Sequence, residues 1–292
     1  EAEAIVAAGD ADLVGMTRAH IAEPAIVRKL LEHRDDDIRL CIYCNESCFG
    51  RQQRVGDISC VYNPRSGREY LWPVLRPAQV RRRVIVVGGG PAGMEAARVA
   101  AKRGHQVELH ERGDALGGQI LSLARTPHRA GYLRISDWLS RQVGKLGVDI
   151  RLNSEMTAAE ILDRRPDAVV LATGAADTGR DLPGADGANV FTARQALGGA
   201  NLGRRVVIGD WDGRHMGLSV ADLLSSRGHQ VTIVTPAFFA GMDVDLLTWR
   251  PIYERLQSRG VTFAALDEIT AIDDGCVTVT RTDGSHYRLA SP

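Results

Sequence analysis

The stretch VVGGGPAGMEAARVAAKRGHQVELHE, residues 86–111, restricts the fold more than any other part of the chain. Arg83–Val87 is a short apolar run of the kind that forms a buried strand. Residues 88–93 form a glycine-rich turn, Met94–Arg103 has helical composition ended by Gly104, and Val107–His110 is a second apolar run. Gly88 and Gly90 permit a tight turn and close approach of backbone to a pyrophosphate, and Gly93 lets the helix sit close to the strand. Pro91 and Ala92 stand at the helix entrance, where free N–H groups and the positive end of the helix dipole favour phosphate. Glu111, with Arg112 beside it, falls about 20 residues on, where a carboxylate accepts hydrogen bonds from a ribose. A lone glycine motif is a weak signal. Strand, glycines, helix, strand and acid in this order predict a site for an adenine nucleotide or dinucleotide, the plainer reading being a structural βαβ turn.

Gly118 and Gln119 follow soon after, and Ala172, Thr173 and Gly174 close a later apolar run, Ala168–Ala172. Alone these are ordinary turns; beside the glycine motif they are candidates to approach the same ligand. Between them the pattern predicts a helix over Tyr132–Leu146 and a strand over Val148–Leu152. From Arg205 a second unit of the same shape begins: strand, helix Met216–Arg227, strand Val231–Thr235, helix Ile252–Arg259, strand Val261–Ala264 and a hairpin-like CVTVTRTDGSHYRL. Its turn, GDWDGRHMG, is not a dinucleotide motif. Asp210, Trp211 and Asp212 occupy positions where a phosphate needs small residues, and the strand that follows ends in Thr235-Pro236 without an acid. A nicotinamide site is expected to be weak or absent there. His215 and Trp211 read as a turn histidine and a packing tryptophan rather than as catalytic groups.

Four of the five cysteines crowd into CIYCNESCFGRQQRVGDISC, as C-x2-C-x3-C-x11-C. The short loops among Cys41, Cys44 and Cys48 strain most disulfide pairings. Structural zinc typically prefers two C-x2–4-C knuckles, whereas three close thiolates and a distant fourth suit the corners of an iron–sulfur cubane. Spacing alone leaves both metals open. Cysteines gathered at one place, rather than spread along the chain, point to metal binding in a reducing, cytoplasmic setting.

Lys+Arg and Asp+Glu both number 36, so no general attraction to nucleic acid or to an anionic membrane is expected. No apolar run approaches the ~20 residues of a membrane helix. Ahead of the cysteines, Glu1–Gly9 reads as a helix end, Ala11–Met16 as a short strand leading into Gly15-Met16-Thr17-Arg18, and Ala25–Leu31 as a helix. Trp72–Pro77, with two prolines, reads as a linker.

The ordered set GMTRAHIAEP, CIYCNESC…C-x-x-NP, VVGGGPAGMEAAR, ERGDALGGQI and LATGA resembles the back half of the multidomain old yellow enzyme-like flavoproteins. That group includes trimethylamine dehydrogenase, 2,4-dienoyl-CoA reductase and N-methyl amine demethylases. The resemblance implies an α/β chain in five parts: the end of an FMN-binding TIM barrel (1–38), a 4Fe–4S segment (39–66), a linker (67–82), a Rossmann-like FAD- or ADP-binding domain (83–200) and a second, degenerate and truncated Rossmann-like domain (201–292). It implies Cys41, Cys44, Cys48 and Cys60 as cluster ligands. It also implies Gly88, Gly90, Gly93 and Glu111 at the ADP part of FAD, or at ADP itself, and Gly15, Met16 and Arg18 at the FMN phosphate. TIM barrels often bind phosphate at the loops after their seventh and eighth strands.

The activity so implied is an oxidoreductase passing electrons between FMN, a 4Fe–4S cluster and FAD or an external flavoprotein, of amine dehydrogenase or demethylase type. The alternatives are an NAD(P)H-dependent 2,4-dienoyl-CoA or enoate reductase and, in another class, a non-catalytic electron-transfer or nucleotide-binding module with a four-cysteine zinc site. The chain is expected to be a fragment that starts just before the eighth barrel strand, with substrate bound in the missing barrel, no catalytic acid or base of its own, and a homo-oligomeric whole.

Overall fold

The computed structural model describes residues 2–273 and 275–290. The chain divides into two compact units, residues 1–75 and 76–292.

The first unit is mostly short turns. Helices α1 (Ala2–Ala7), α2 (Thr17–Ala22) and α3 (Ile26–Leu31) precede the cysteine segment, and α4 (Arg51–Val55) lies inside it. Glu1, expected to open the first helix, lies outside the described residues. Ala11–Met16 is not the expected strand: it is irregular, and no described segment pairs with it. A strand without a ladder partner leaves its backbone groups unbonded, and Leu13 in this stretch stays 89% exposed. Polar contacts tie its segments together instead. Buried Glu23 binds the Lys29 ammonium and accepts from the backbone N–H groups of Ala25 and Arg39, at 3.3 Å each. Asn63, also buried, donates to the Ile21 carbonyl at 3.4 Å and accepts from the Arg65 N–H at 3.2 Å.

The second unit opens with the predicted strand–helix–strand: β1 (Arg83–Val87), α5 (Pro91–Lys102) and β2 (Gln106–His110). It continues through α6 (Gln119–Leu123), α7 (Leu133–Lys145), β3 (Asp149–Arg151), α8 (Ala158–Asp163) and β4 (Ala168–Leu171). These strands form one parallel sheet in the order β3-β2-β1-β4. The two long helices bury Met94 and Ala97 from one and Ile135, Trp138, Leu139 and Val143 from the other, in the core that also holds Ile85, Val86 and Leu109. Strands buried on both faces read as continuous apolar runs, which is why Arg83–Val87 was legible.

After α9 (Ala193–Gly198) a second parallel sheet, in the order β5-β6-β7, is built from β5 (Arg205–Gly209), α10 (His215–Ser226), β6 (Gln230–Thr235), α11 (Leu246–Ser258) and β7 (Thr262–Ala265). Leu218, Ala221, Leu224, Ile233, Ile252 and Leu256 form its core. Helix α11 begins six residues before the expected Ile252, capped by the Asp245 carboxylate on the Thr248 N–H at 3.1 Å, and it runs through Pro251. The expected hairpin is present as β9 (Cys276–Arg281) and β10 (His286–Ala290), but a third antiparallel strand, β8 (Asp267–Asp273), precedes it. Val234, Ile269, Val277 and Val279 join this antiparallel sheet to β6.

Candidate functional site

The cysteine segment folds around a pocket lined by Cys41, Cys44, Cys48 and Cys60 together with Arg18, Ile42 and Tyr62. Two non-glycine residues on either side of Cys44 take left-handed backbone conformations, Tyr43 at φ 58° and Asn45 at φ 56°. They reverse the chain so that successive thiols face one volume. A π-type turn over Glu46–Gly50, closed by the Gly50 N–H on the Asn45 carbonyl at 2.8 Å, carries Cys48 into place. The Ser59 N–H donates to the Ser47 carbonyl at 2.9 Å and brings Cys60 alongside.

No disulfide links the cysteines. Among the described residues, no group of three or more His, Cys, Asp or Glu side chains is gathered tightly enough to hold a metal ion. The four thiols are instead spread around the pocket wall. Burial pushes the Cys44 thiol up to about 12, against the Glu46 N–H that favours thiolate, and the other three thiols add to the rise. Burial also raises Cys41, opposed by the Tyr43 N–H, which donates to its Sγ at 3.4 Å, and by the Arg18 charge. Thiolates sharing this pocket raise one another's pKa, and a bound cation removes that penalty.

Arg18 is placed on this pocket. Its Nη1 donates to Asn45 Oδ1 at 2.7 Å and its guanidinium lies over the Tyr43 ring at 5.2 Å. Gly15, by contrast, has open surroundings, and Met16 precedes α2 without a side-chain cap.

In the second unit the predicted nucleotide residues converge at the ends of β1, β2 and β4. A Cβ on Gly93 would stand 1.9 Å from the Gly88 carbonyl oxygen, so only glycine lets α5 start this close to the strand. Gly88, at φ +109°, lies against the Ala172 carbonyl and the Thr173 amide, which brings the Ala172–Gly174 turn to the glycine loop. Gly118 approaches the Gly90 Cα, the Gly117 N–H donates to the Gly89 carbonyl at 2.9 Å, and Gln119 Nε2 lies near Gly174 and donates to the Ala175 carbonyl at 3.4 Å. Gly90 faces open space, with Pro91 at the first position of α5 and Ala92 exposed after it. Glu111 is half-buried and accepts from the backbone N–H groups of Gly89 at 2.6 Å and Gly113 at 2.8 Å, and Arg112 is exposed beside it. The glycine loop, the Gly118 turn, the Ala172–Gly174 turn and the Glu111 carboxylate thus meet around the N-terminus of α5.

A family model described as pyridine nucleotide-disulphide oxidoreductase matches residues 82–291, both parallel sheets included. The chain belongs to this family. Its relatives also bear out the resemblance read from the motifs. It is 37% identical over 283 residues to a probable N-methylproline demethylase of Rhizobium meliloti, covering 97% of this chain and 42% of that protein. It is 38% identical over 292 residues to an N,N-dimethylglycine/sarcosine dehydrogenase of Chromohalobacter salexigens, covering 96% and 42%. The solved 6-hydroxypseudooxynicotine amine oxidase of Pseudomonas geniculata superposes with a TM-score of 0.92 at 30% identity, covering 99% of this chain and 45% of that one. The chain therefore spans less than half the length of the curated relatives it matches.

Within this pyridine nucleotide-disulphide oxidoreductase domain the second parallel sheet carries a different turn. Asp210, 2% exposed, accepts from the Gly241 N–H at 2.8 Å, and its Oδ1 lies 3.0 Å from where a Cβ on Gly217 would stand, just inside the first turn of α10. Burial raises its carboxyl above the ordinary range against the pull of the Gly241 N–H, and Asp212 adds to the rise. The Trp211 ring covers Gly209 and packs on the core of Val234, Ile269, Val277 and Val279. His215 opens α10 half-buried, with Arg129 Nη2 at 3.0 Å from its Nδ1. Trp211 thus packs as expected, whereas His215 is not in the turn but opens a helix, half-buried against Arg129. The sequence reading missed Tyr43, Asn45 and Gly89 as site residues. Asn45 carried a signal as a polar residue that tolerates the left-handed region, and Gly89 lay within the glycine-rich turn.

Proposed function

We propose that this chain supplies the cluster-binding and nucleotide-binding parts of an iron–sulfur flavoprotein oxidoreductase of amine dehydrogenase or demethylase type. The observation that carries the reading is the placement of four thiols around a single pocket, in one chain with a glycine-framed nucleotide cleft. Thiolates spread around a volume suit a 4Fe–4S cluster held by Cys41, Cys44, Cys48 and Cys60, whereas a single tetrahedral zinc draws its sulfurs to about 2.3 Å from one point. The N–H donors to Cys41 and Cys44 are of the kind that tune such clusters. When bound, the cluster supplies one-electron transfer, and the chain's part is to place it and set its potential.

FAD, or ADP alone, fits the second unit. Gly88, Gly90 and Gly93 give backbone access to its phosphates, Gly118, Gln119 and Ala172–Gly174 form the opposite wall, and Glu111 takes the ribose. Gly15, Met16 and Arg18 are assigned to an FMN phosphate by family likeness. Substrate would be bound by sequence outside this chain, with an external flavoprotein as the acceptor.

The Asp210 turn supports the dehydrogenase type over an NAD(P)H-dependent reductase. A buried carboxylate beside Gly217 fills the place of a second pyrophosphate and repels one. Anaerobic purification, with iron, sulfide, zinc and flavin determined per chain, tests the whole reading. Four irons and four sulfides per chain are expected; one zinc without iron overturns it. Rapid bleaching of the flavin by NADPH under anaerobic conditions would overturn the dehydrogenase type alone.

A further inference from the structure

Arg18 has a contact that the phosphate assignment does not explain. Its guanidinium is directed onto the cysteine segment and held there twice, by Asn45 Oδ1 at 2.7 Å and by the face of Tyr43 at 5.2 Å. Both partners belong to the pair of left-handed residues that shape the pocket around Cys44. A planar guanidinium satisfies an oxygen acceptor and an aromatic face at once, which an ammonium on a flexible stem does less well. Among the described residues lining this pocket, none is acidic and Arg18 is the one cation.

We propose that Arg18 is a positioning residue for electron transfer: it fixes a positive charge on the wall of the cysteine pocket and so makes the reduced state of the bound cluster more favourable. The inference rests on the iron–sulfur reading above. Reduction adds one electron to the cluster and breaks no bond, so the added charge is felt by any cation held nearby. Arg18 is exposed in this chain, so solvent weakens the effect and salt screens it.

The test is reductive titration of the purified protein, with any flanking sequence retained, using dithionite and an indicator dye and reading the reduced cluster by electron paramagnetic resonance. At the potential that half-reduces the wild-type cluster, Arg18→Gln is expected to lower the reduced-to-oxidised ratio about fivefold, and less at high salt. Arg18→Lys, which keeps the charge, is expected to stay within about twofold of wild type. Asn45→Gly, which keeps the charge and the left-handed backbone but removes one tether, is expected to fall between them and serves where Arg18→Gln loses iron. Flavin released on denaturation is counted separately, so loss of FMN is not read as a change in the cluster. A fully loaded cluster with an unchanged ratio in Arg18→Gln, or an equal fall in Arg18→Lys, overturns this inference alone. A wild-type protein without iron overturns it together with the cluster reading.

Discussion

Glu111 Oε2 accepts the Gly89 N–H at 2.6 Å, so the carboxylate expected at the ribose also ties the end of β2 to the middle of the glycine loop. Its other oxygen holds the Gly113 N–H at 2.8 Å. Charge-assisted bonds of this kind contribute about 1.5–3 kcal/mol when buried and less when half-exposed. Glu111→Ala is expected to cost about 1–2 kcal/mol in urea denaturation and to weaken ADP binding at least tenfold by calorimetry. Glu111→Gln keeps one acceptor and should lose less stability than Glu111→Ala.

Gly90 and Gly93 separate folding from binding. Alanine at 93 places a methyl 1.9 Å from the Gly88 oxygen, and the backbone must shift to admit it. A thermal melt should fall by the equivalent of about 1–3 kcal/mol. Alanine at 90 meets nothing within 4 Å. That variant should melt like the wild type yet bind ADP and FAD poorly, because its methyl stands where the phosphates approach. A Gly90→Ala protein with wild-type affinity would place the nucleotide elsewhere.

The cysteines divide in the same way. Cys60→Ser should lower bound iron and the visible absorbance of the anaerobically purified protein. Cys276→Ser, in a β9 pairing with Ala290, should leave both unchanged.

The Asp210 carboxyl gives stability a pH dependence of definite sign. Burial raises its pKa on folding, so the folded chain binds this proton more tightly than the unfolded chain does. The contribution is fully present below the ordinary unfolded value of about 3.9 and is lost as pH rises through the raised folded value. Urea midpoints measured upward from the ordinary unfolded value of about 3.9 should decline in the wild type relative to Asp210→Asn, which has no proton to lose, and level off once the pH has passed the raised folded value.

Local chemistry made some elements readable and hid others. The glycine loop, β1, α5 and β2 were legible because glycines, apolar runs and Glu111 each have a local physical reason for their position. Helices α8 and α9 went unread although both are announced by capping boxes, Thr157 with Glu160 and Thr192 with Gln195, in which side chain and backbone bond reciprocally. Each has only six residues, too few for a helical period to stand out, although α9 buries Ala196 and Leu197. Pro251 misplaced the start of α11, because a proline reads as a helix opening while Asp245 is the actual cap. Strand β8 shows weak alternation and a register shift between Ile269 and Ala271, and its partners alone define it. At the candidate site, the four cysteines and the nucleotide residues were visible as letters, whereas the Arg18 contact with Asn45 depends on a chain reversal that no spacing rule encodes.

The left-handed backbone at Tyr43 and Asn45 also sets a grammar for the segment. Left-handed geometry costs most residues roughly 1–2 kcal/mol, and asparagine or glycine much less, while a β-branched side chain fits it worst. A chain could keep all four cysteines at the same intervals, carry valine at position 45, and be unable to turn its third thiol inward. The letter that distinguishes a working copy from a decayed one is therefore not a cysteine at all, and a survey of sequences scored on thiols alone would count both as the same protein.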